Sequence, residues 1–335
     1  MTTPHTAPDE LYAARHVVRA AVTAPSLHNT QPWIFLCRGG EISLYADTTR
    51  HLTATDPQGR ELVVSCGAAL FNLRLAMRQL GFQPVVQPCP DPRVPALLAR
   101  VTWGARARIS PAEELMYRSL RRRHTHRGPF RPTPLPAPLL ESLARHARLE
   151  GAEFSALTTR REERRLARLV QEAETLQRAD LAHRVELARW TRPFGTEDGD
   201  GVPAGAAPLH PDATLLAGRD FVGWTHGGTS GGPPERRAGD TGRMALINTP
   251  QDTPRDWLLA GQALQRVLLY AAAHQVAAGF HTQPLEIPYL RGEVRELVAS
   301  GQVPQMILRL GSAPWTLRTP RRRVGQVLWC PQTPA

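Results

Sequence analysis

Two segments far apart in the chain repeat one pattern. Gly67-Ala68-Ala69-Leu70, followed by Leu73 and Leu75, matches Gly261-Gln262-Ala263-Leu264, followed by Val267 and Leu269. Both stripes have helical period, and both segments close on Gly-Phe, at Gly81-Phe82 and Gly279-Phe280. A β segment carrying an arginine, Arg100 or Arg309, comes after each. A glycine at the same place in two amphipathic helices points to close helix packing at matching sites. A chain holding such a unit twice can imitate a two-fold dimer with an interface in its middle. A chance match between two amphipathic helices is the other reading of the same residues.

With 335 residues, 41% of them hydrophobic and 21% charged, the chain has enough apolar mass for one large core or two modest ones. The net charge is +11, and all 41 basic residues are arginine. Without lysine there is no Schiff-base chemistry and no P-loop. The richness in Arg, Ala, Pro and Gly fits a GC-rich coding bias, so the charge says only that many guanidiniums are available for anions. Nucleic acid is not an expected partner: aromatic residues are 6%, and Arg121–Arg127 contains none to stack on bases. Cys37, Cys66, Cys89 and Cys330 form no C-x-x-C pair, so neither a zinc site nor a disulfide scaffold follows; reduced thiols in a cytoplasmic protein are expected. The polar start lacks an apolar signal core, and the most apolar stretch, Leu258–Phe280, contains Gln262, Gln265, Arg266 and His274. A membrane span there would bury those groups.

Periodicity predicts a helix over Glu10–Thr23, ended by Pro25, then a hairpin of Trp33–Cys37 and Glu41–Ala46 around Arg38-Gly39-Gly40. Asp56-Pro57 reads as the start of a long helix closed by Gly81, with β segments at Pro84–Gln87 and Leu97–Trp103. Helices over Glu113–Arg123, Ala137–Arg148 and Arg160–Trp190 follow, with a strand at Glu153–Leu157 before the last. Residues 195–242 hold 12 of the 26 glycines without periodicity, which reads as a disordered insert or a lid. A strand at Arg243–Asn248, helices at Pro254–Gly279 and near Val294, and a strand at Gln305–Leu310 complete the chain.

Four segments carry chemistry. The run Pro25-Ser26-Leu27-His28-Asn29-Thr30-Gln31-Pro32-Trp33 offers rigid backbone and short polar side chains suited to a polar ring edge, and it also reads as an ordinary helix-to-strand connection. Arg121-Arg122-Arg123-His124-Thr125-His126-Arg127 is an anion site suited to phosphate, or a solvated basic helix end. His124 and His126 lack a third ligand nearby, so no metal is expected. Thr319-Pro320-Arg321-Arg322-Arg323 is a basic tail that could converge with the first cluster on one phosphate, and Gln283-Pro284-Leu285-Glu286-Ile287-Pro288 is a proline-bounded loop. No Ser-His-Asp order or G-x-S-x-G strand-to-helix elbow is visible, there is no H-E-x-x-H, and no G-x-G-x-x-G lies between strand and helix.

Together these four segments resemble the nitroreductase family, and residues 10 to 330 are similar to its Acg-like branch. The resemblance implies an α+β fold with FMN at the seam of a two-fold dimer, here imitated by one chain with two pseudo-symmetric halves, 10–105 and 106–330, the second containing a lid at 195–242. It implies phosphate contacts from Arg123, His124, Thr125 and Arg127, completed by Arg321 and Arg323. It implies contacts across the seam from Pro25, Ser26 and Asn29, and a segment Pro284, Leu285 and Glu286 against the flavin ring. Leu27 and Ile287 depart from many relatives, which have serine and glycine there; Arg15 and Arg19 are isolated, so one FMN per chain is expected. The implied activity is oxidoreduction of nitro or quinone-type small-molecule acceptors with NADH or NADPH, by a monomer or a homodimer. The alternative is FMN storage under a closed lid. The protein residues are then cofactor-holding rather than catalytic.

Overall fold

The computed structural model describes residues 10–193, 196, 198–203, 215, 216, 219, 221, 242–298, 301–314 and 317–331. The lid expected at 195–242 therefore lies almost wholly outside the described residues. In chain order the elements are α1 (Glu10–Ala21), β1 (Trp33–Arg38), β2 (Glu41–Ala46), α2 (Arg60–Gln79), β3 (Phe82–Pro88), β4 (Leu97–Arg106), α3 (Pro111–Ser119), α4 (Ala137–Arg148) and β5 (Glu153–Ala156). They continue as α5 (Arg160–Ala179), α6 (Leu181–Arg189), β6 (Thr191–Arg192), β7 (Val202–Pro203), β8 (Arg243–Thr249), α7 (Pro254–Ala273), β9 (Ala277–Phe280), α8 (Pro288–Val298), β10 (Val303–Gly311) and β11 (Leu328–Trp329). The fold is α+β.

One sheet runs β11-β1-β2-β4-β3 and the other β5-β8-β10-β9. Apart from β11, the two share an order and a pairing sense: β1-β2-β4-β3 and β5-β8-β10-β9 are antiparallel throughout, and a long helix links the second strand of each to the third in sequence. Those two helices, α2 and α7, pack on each other along the middle of the molecule at the matching glycines. A Cβ on Gly67 would lie 2.3 Å from the Leu258 carbonyl oxygen, and one on Gly261 would lie 2.0 Å from that of Val64. Glycine lets the backbones meet where any side chain would hold them apart. A buried polar bridge, Gln265 Nε2 to Asn72 Oδ1 at 2.8 Å, fixes the same crossing. Because α2 is wrapped by α1, its sheet and α7, the broad apolar face expected of it is in fact burial on nearly every side.

The ends of the second half reach back to the first. Met116 and Leu120, in and just after α3, and Val327, just before β11, belong to the core around α1 and α2, and β11 pairs parallel with β1. A two-residue strand leaves no periodic signal, and β11 was not expected.

Four boundaries are corrected. The helix opened by Asp56 starts at Arg60, yet the Asp56 carboxylate accepts from Leu62 N at 2.9 Å and still caps it. The helix expected over Glu113–Arg123 ends at Ser119, freeing the basic run. The charged helix over Arg160–Trp190 breaks at Asp180, whose side chain caps α6 at Ala182 N. The helix expected to reach Gly279 stops at Ala273, because Gln275 takes a left-handed φ of 60° and turns the chain into β9.

Candidate functional site

Three guanidiniums from two remote segments meet beside the loop that enters β1. Arg123 Nη2 and Arg321 Nη2 both donate to the Thr23 carbonyl, at 3.1 and 3.4 Å. Arg127 lies close enough for its charge to act on both. Among the described residues none of the three has a carboxylate partner; burial, then mutual repulsion for Arg123 and Arg321, pulls their pKa values down to about 10, about 10 and about 9 for Arg123, Arg127 and Arg321. Arg123 Nε, Arg127 Nη1 and Arg321 Nε are shielded from water without a hydrogen-bond acceptor. Three like charges held together with unpartnered donors are costly unless an anion completes them. The donor set fits a phosphate dianion.

The basic run is held on the second sheet. His126 N donates to the Ala278 carbonyl at 2.8 Å, Thr125 bridges to Ala278, and Gly279 leaves room, since a Cβ there would lie 2.7 Å from the His126 oxygen. Arg321 is fixed by Nη1 donating to Asn29 Oδ1 at 3.0 Å and Thr319 Oγ1 at 2.7 Å.

Next to this cluster is a cavity bounded by the loop after α1, by α2 and by the second sheet. Pro25–His28, Glu61, Ser65, Thr125–Arg127, Phe280–Gln283 and Arg309 line it, as do Arg219 and Phe221. The loop from α1 keeps its shape through left-handed φ angles at His28, Asn29 and Gln31 (47°, 57° and 51°). Non-glycine residues sit there only when the surroundings fix them. Ser26 Oγ accepts from Gln31 N at 2.9 Å, and Asn29 Nδ2 donates to the carbonyls of Gly201 (2.9 Å) and Pro320 (3.1 Å).

The expected site residues thus divide. Pro25, Ser26, Thr125 and Arg127 line the cavity; Arg123, Arg127 and Arg321 form the anion cluster; Asn29 ties the loop to the C-terminal segment. His124 is half-buried beside it, its pKa pushed down to about 4 by burial and by the charges of Arg123, Arg318 and Arg321. Arg323 is exposed: it stands at the head of the 3-10 turn Val324–Gln326, its backbone N donating to Gln326 Oε1 at 2.8 Å. Pro284, Leu285 and Glu286 lie behind the cavity wall that His281, Thr282 and Gln283 make. Leu285 packs into the core around α5 and α8, and the Glu286 carboxylate accepts from Arg219 Nη2 at 2.7 Å and Thr282 Oγ1 at 3.0 Å.

Sequence reasoning missed His28, Glu61, Ser65, His281, Arg219 and Phe221. Phe221 meets the His28 ring edge-on at 5.6 Å, and Arg127 lies 5.6 Å from the Phe221 ring centre. His28 and His281 are held uncharged, chiefly by burial and then by neighbouring arginines. Burial and the Glu286 charge push Glu61 up to about 8, outweighing its 2.6 Å contact with Arg60.

The His124 shift fixes a pH dependence. Its folded pKa lies below its unfolded one, so the unfolded chain takes up a proton near pH 6.5 that the folded chain refuses until about pH 4. Stability is therefore lost as pH falls through that window. Urea unfolding of the cofactor-free chain is expected to show this loss, and His124→Gln to lessen it by one proton's share, since His146 is likewise pushed down to about 4, chiefly by burial. A slope unchanged by the substitution contradicts the placement.

No family model matches the chain. It is 34% identical over 327 residues to "Putative NAD(P)H nitroreductase Rv3131" of Mycobacterium tuberculosis, covering 95% of this chain and 91% of that one. It is 30% identical over 334 residues to "Uncharacterized protein Rv3127" of the same organism, covering 96% and 94%. It is 29% identical over 322 residues to "Putative NAD(P)H nitroreductase acg", covering 93% and 94%. Among solved structures, the FMN-dependent nitroreductase NfnB from Mycobacterium smegmatis in complex with NADPH superposes with a TM-score of 0.40 at 16% identity, over 64% of this chain and 96% of that one. That score is too low to carry an argument. The likeness in sequence does carry one: this chain belongs to the nitroreductase family, in its Acg-like branch. Among the described residues no helix is long and apolar enough to cross a membrane.

Proposed function

We propose that the chain is a cytoplasmic FMN-binding, NAD(P)H-dependent oxidoreductase acting on small nitro or quinone-type acceptors. The observation that carries the proposal is the cluster of Arg123, Arg127 and Arg321, each with a guanidinium nitrogen shielded from water and none with an anionic partner among the described residues. These would hold the FMN phosphate, and Pro25–His28 with Thr125–Arg127 would flank the rest of the cofactor. When bound, FMN supplies hydride exchange between a nicotinamide and an acceptor. The chain's own part is to neutralise the phosphate and to keep His28 and His281 uncharged. The shared strand order and the glycine crossing of α2 and α7 support two pseudo-equivalent halves standing in for a dimer, with the cavity between them.

One observation favours the storage reading. Arg219, bound to Glu286 and to His28 Nε2 at 3.1 Å, lines the cavity together with Phe221, and on this reading the two would narrow the room left for a second ring. Mixing holoprotein with NADPH under argon decides between the two. Bleaching of the flavin colour within seconds, faster still in Arg219→Ala, is the result expected of an enzyme with a displaceable cover. Colour that persists in both proteins overturns the enzyme reading in favour of sequestration.

A further inference from the structure

Two of the four cysteines face each other at a sheet edge. In the parallel pairing of β1 with β11, Phe35 lies opposite Leu328 and Leu36 opposite Trp329. The next position in that register sets Cys37 against Cys330. Both side chains are on the core face: Cys37 is buried within the first core and Cys330, partly exposed, packs against it. Cys37 Sγ donates to Glu10 Oε1 at 3.5 Å, and the two thiols are near enough for each to act on the charge of the other. Neighbouring strands bring paired residues within the span a disulfide bridges.

We infer that Cys37 and Cys330 form an oxidisable pair that closes a disulfide when the protein meets a small-molecule disulfide such as oxidised glutathione, stapling the C-terminal segment to β1. Cys330, the more accessible thiol, attacks one sulfur of the oxidant as its thiolate and expels one thiolate. Cys37 then attacks the Cys330 sulfur of that mixed disulfide and expels the second. Two cysteine thiols are oxidised to one disulfide and the oxidant is reduced to two thiols, which take up the two cysteine protons. Glu10 stands beside Cys37 to receive its proton on the way. Burial raises both thiols, Cys37 to about 12, so closure is slow and is favoured by mildly alkaline conditions. The stapled segment also carries Arg321, so on the phosphate reading above the bond fastens one wall of that site.

The test uses the full chain and does not depend on the cofactor. Oxidised glutathione is raised at pH about 8.5 until Cys89, half-exposed beside Arg255, is fully derivatised. The remaining thiols are alkylated and the chain is cut after arginine without reduction. The expected product is peptide 20–38 joined to peptide 324–335 with loss of two hydrogens. Its formation should raise the melting temperature by several degrees, an increase absent in Cys330→Ser. Recovery of Cys37 alkylated, with Cys330 alkylated or carrying glutathione, overturns the inference. A cross-link between two chains overturns it as well.

Discussion

Arg321→Ala is expected to weaken FMN binding by about 30-fold or more while leaving riboflavin affinity almost unchanged. A buried charge-assisted contact to phosphate is worth about 2–5 kcal/mol when one partner is removed, and tenfold corresponds to about 1.4 kcal/mol. Riboflavin lacks the phosphate, so it separates lost anion binding from a damaged pocket. The apoprotein is expected to lose little stability. The variant gives up hydrogen bonds to Asn29 and Thr319 but relieves repulsion from Arg123 and Arg127. Arg323→Ala, at an exposed position, serves as the comparison and should bind FMN like the parent. Fluorescence-quenching titrations with both flavins check all four affinities. Equal losses for FMN and riboflavin would show that Arg321 only shapes the loop.

The second large effect concerns the central crossing. Gly261→Ala is expected to cost at least about 2–3 kcal/mol, the upper part of the roughly 1–3 kcal/mol that overpacking typically costs where side chains can give way. Here the obstacle is backbone: the new Cβ would lie 2.0 Å from the Val64 oxygen and 2.8 Å from the Gly67 Cα. The helices must separate, and with them the parts of the cavity wall that α2 and the second sheet supply. Against a total stability of about 5–15 kcal/mol this is a large fraction. Gly292→Ala in α8 is the control. A Cβ there meets nothing within 4 Å, so relief of glycine's entropic cost should stabilise by about 0.5–1 kcal/mol. Urea midpoints for the two variants should move in opposite directions.

The matching glycines were legible because close helix approach leaves a residue-type signature, and the basic run was legible because four arginines in seven residues suit an anion whatever the fold. The direction of each side chain was not. Arg321 and Arg323 differ by two positions, yet Arg321 turns inward to Asn29 while Arg323 caps a 3-10 turn in solvent. The resemblance implies that Glu286 lies against the ring, but nothing in the sequence tells that its carboxylate is drawn to Arg219, a partner 67 residues away with no local mark. Glu61 and His28 escaped notice for the same reason: their burial and altered protonation come from packing between halves, which periodicity does not encode. The stop of α7 at Gln275 was hidden because a glutamine holds the left-handed position that glycine usually announces.

The central claim is that three guanidiniums hold the phosphate of one FMN, and phosphorus NMR of the chain titrated with FMN tests it most directly. The expected result is one bound resonance per chain whose shift stays constant between about pH 5 and 8, because the arginines keep the phosphate doubly charged where a free one titrates near pH 6. A resonance that remains free, or one that titrates as in solution after binding, contradicts it.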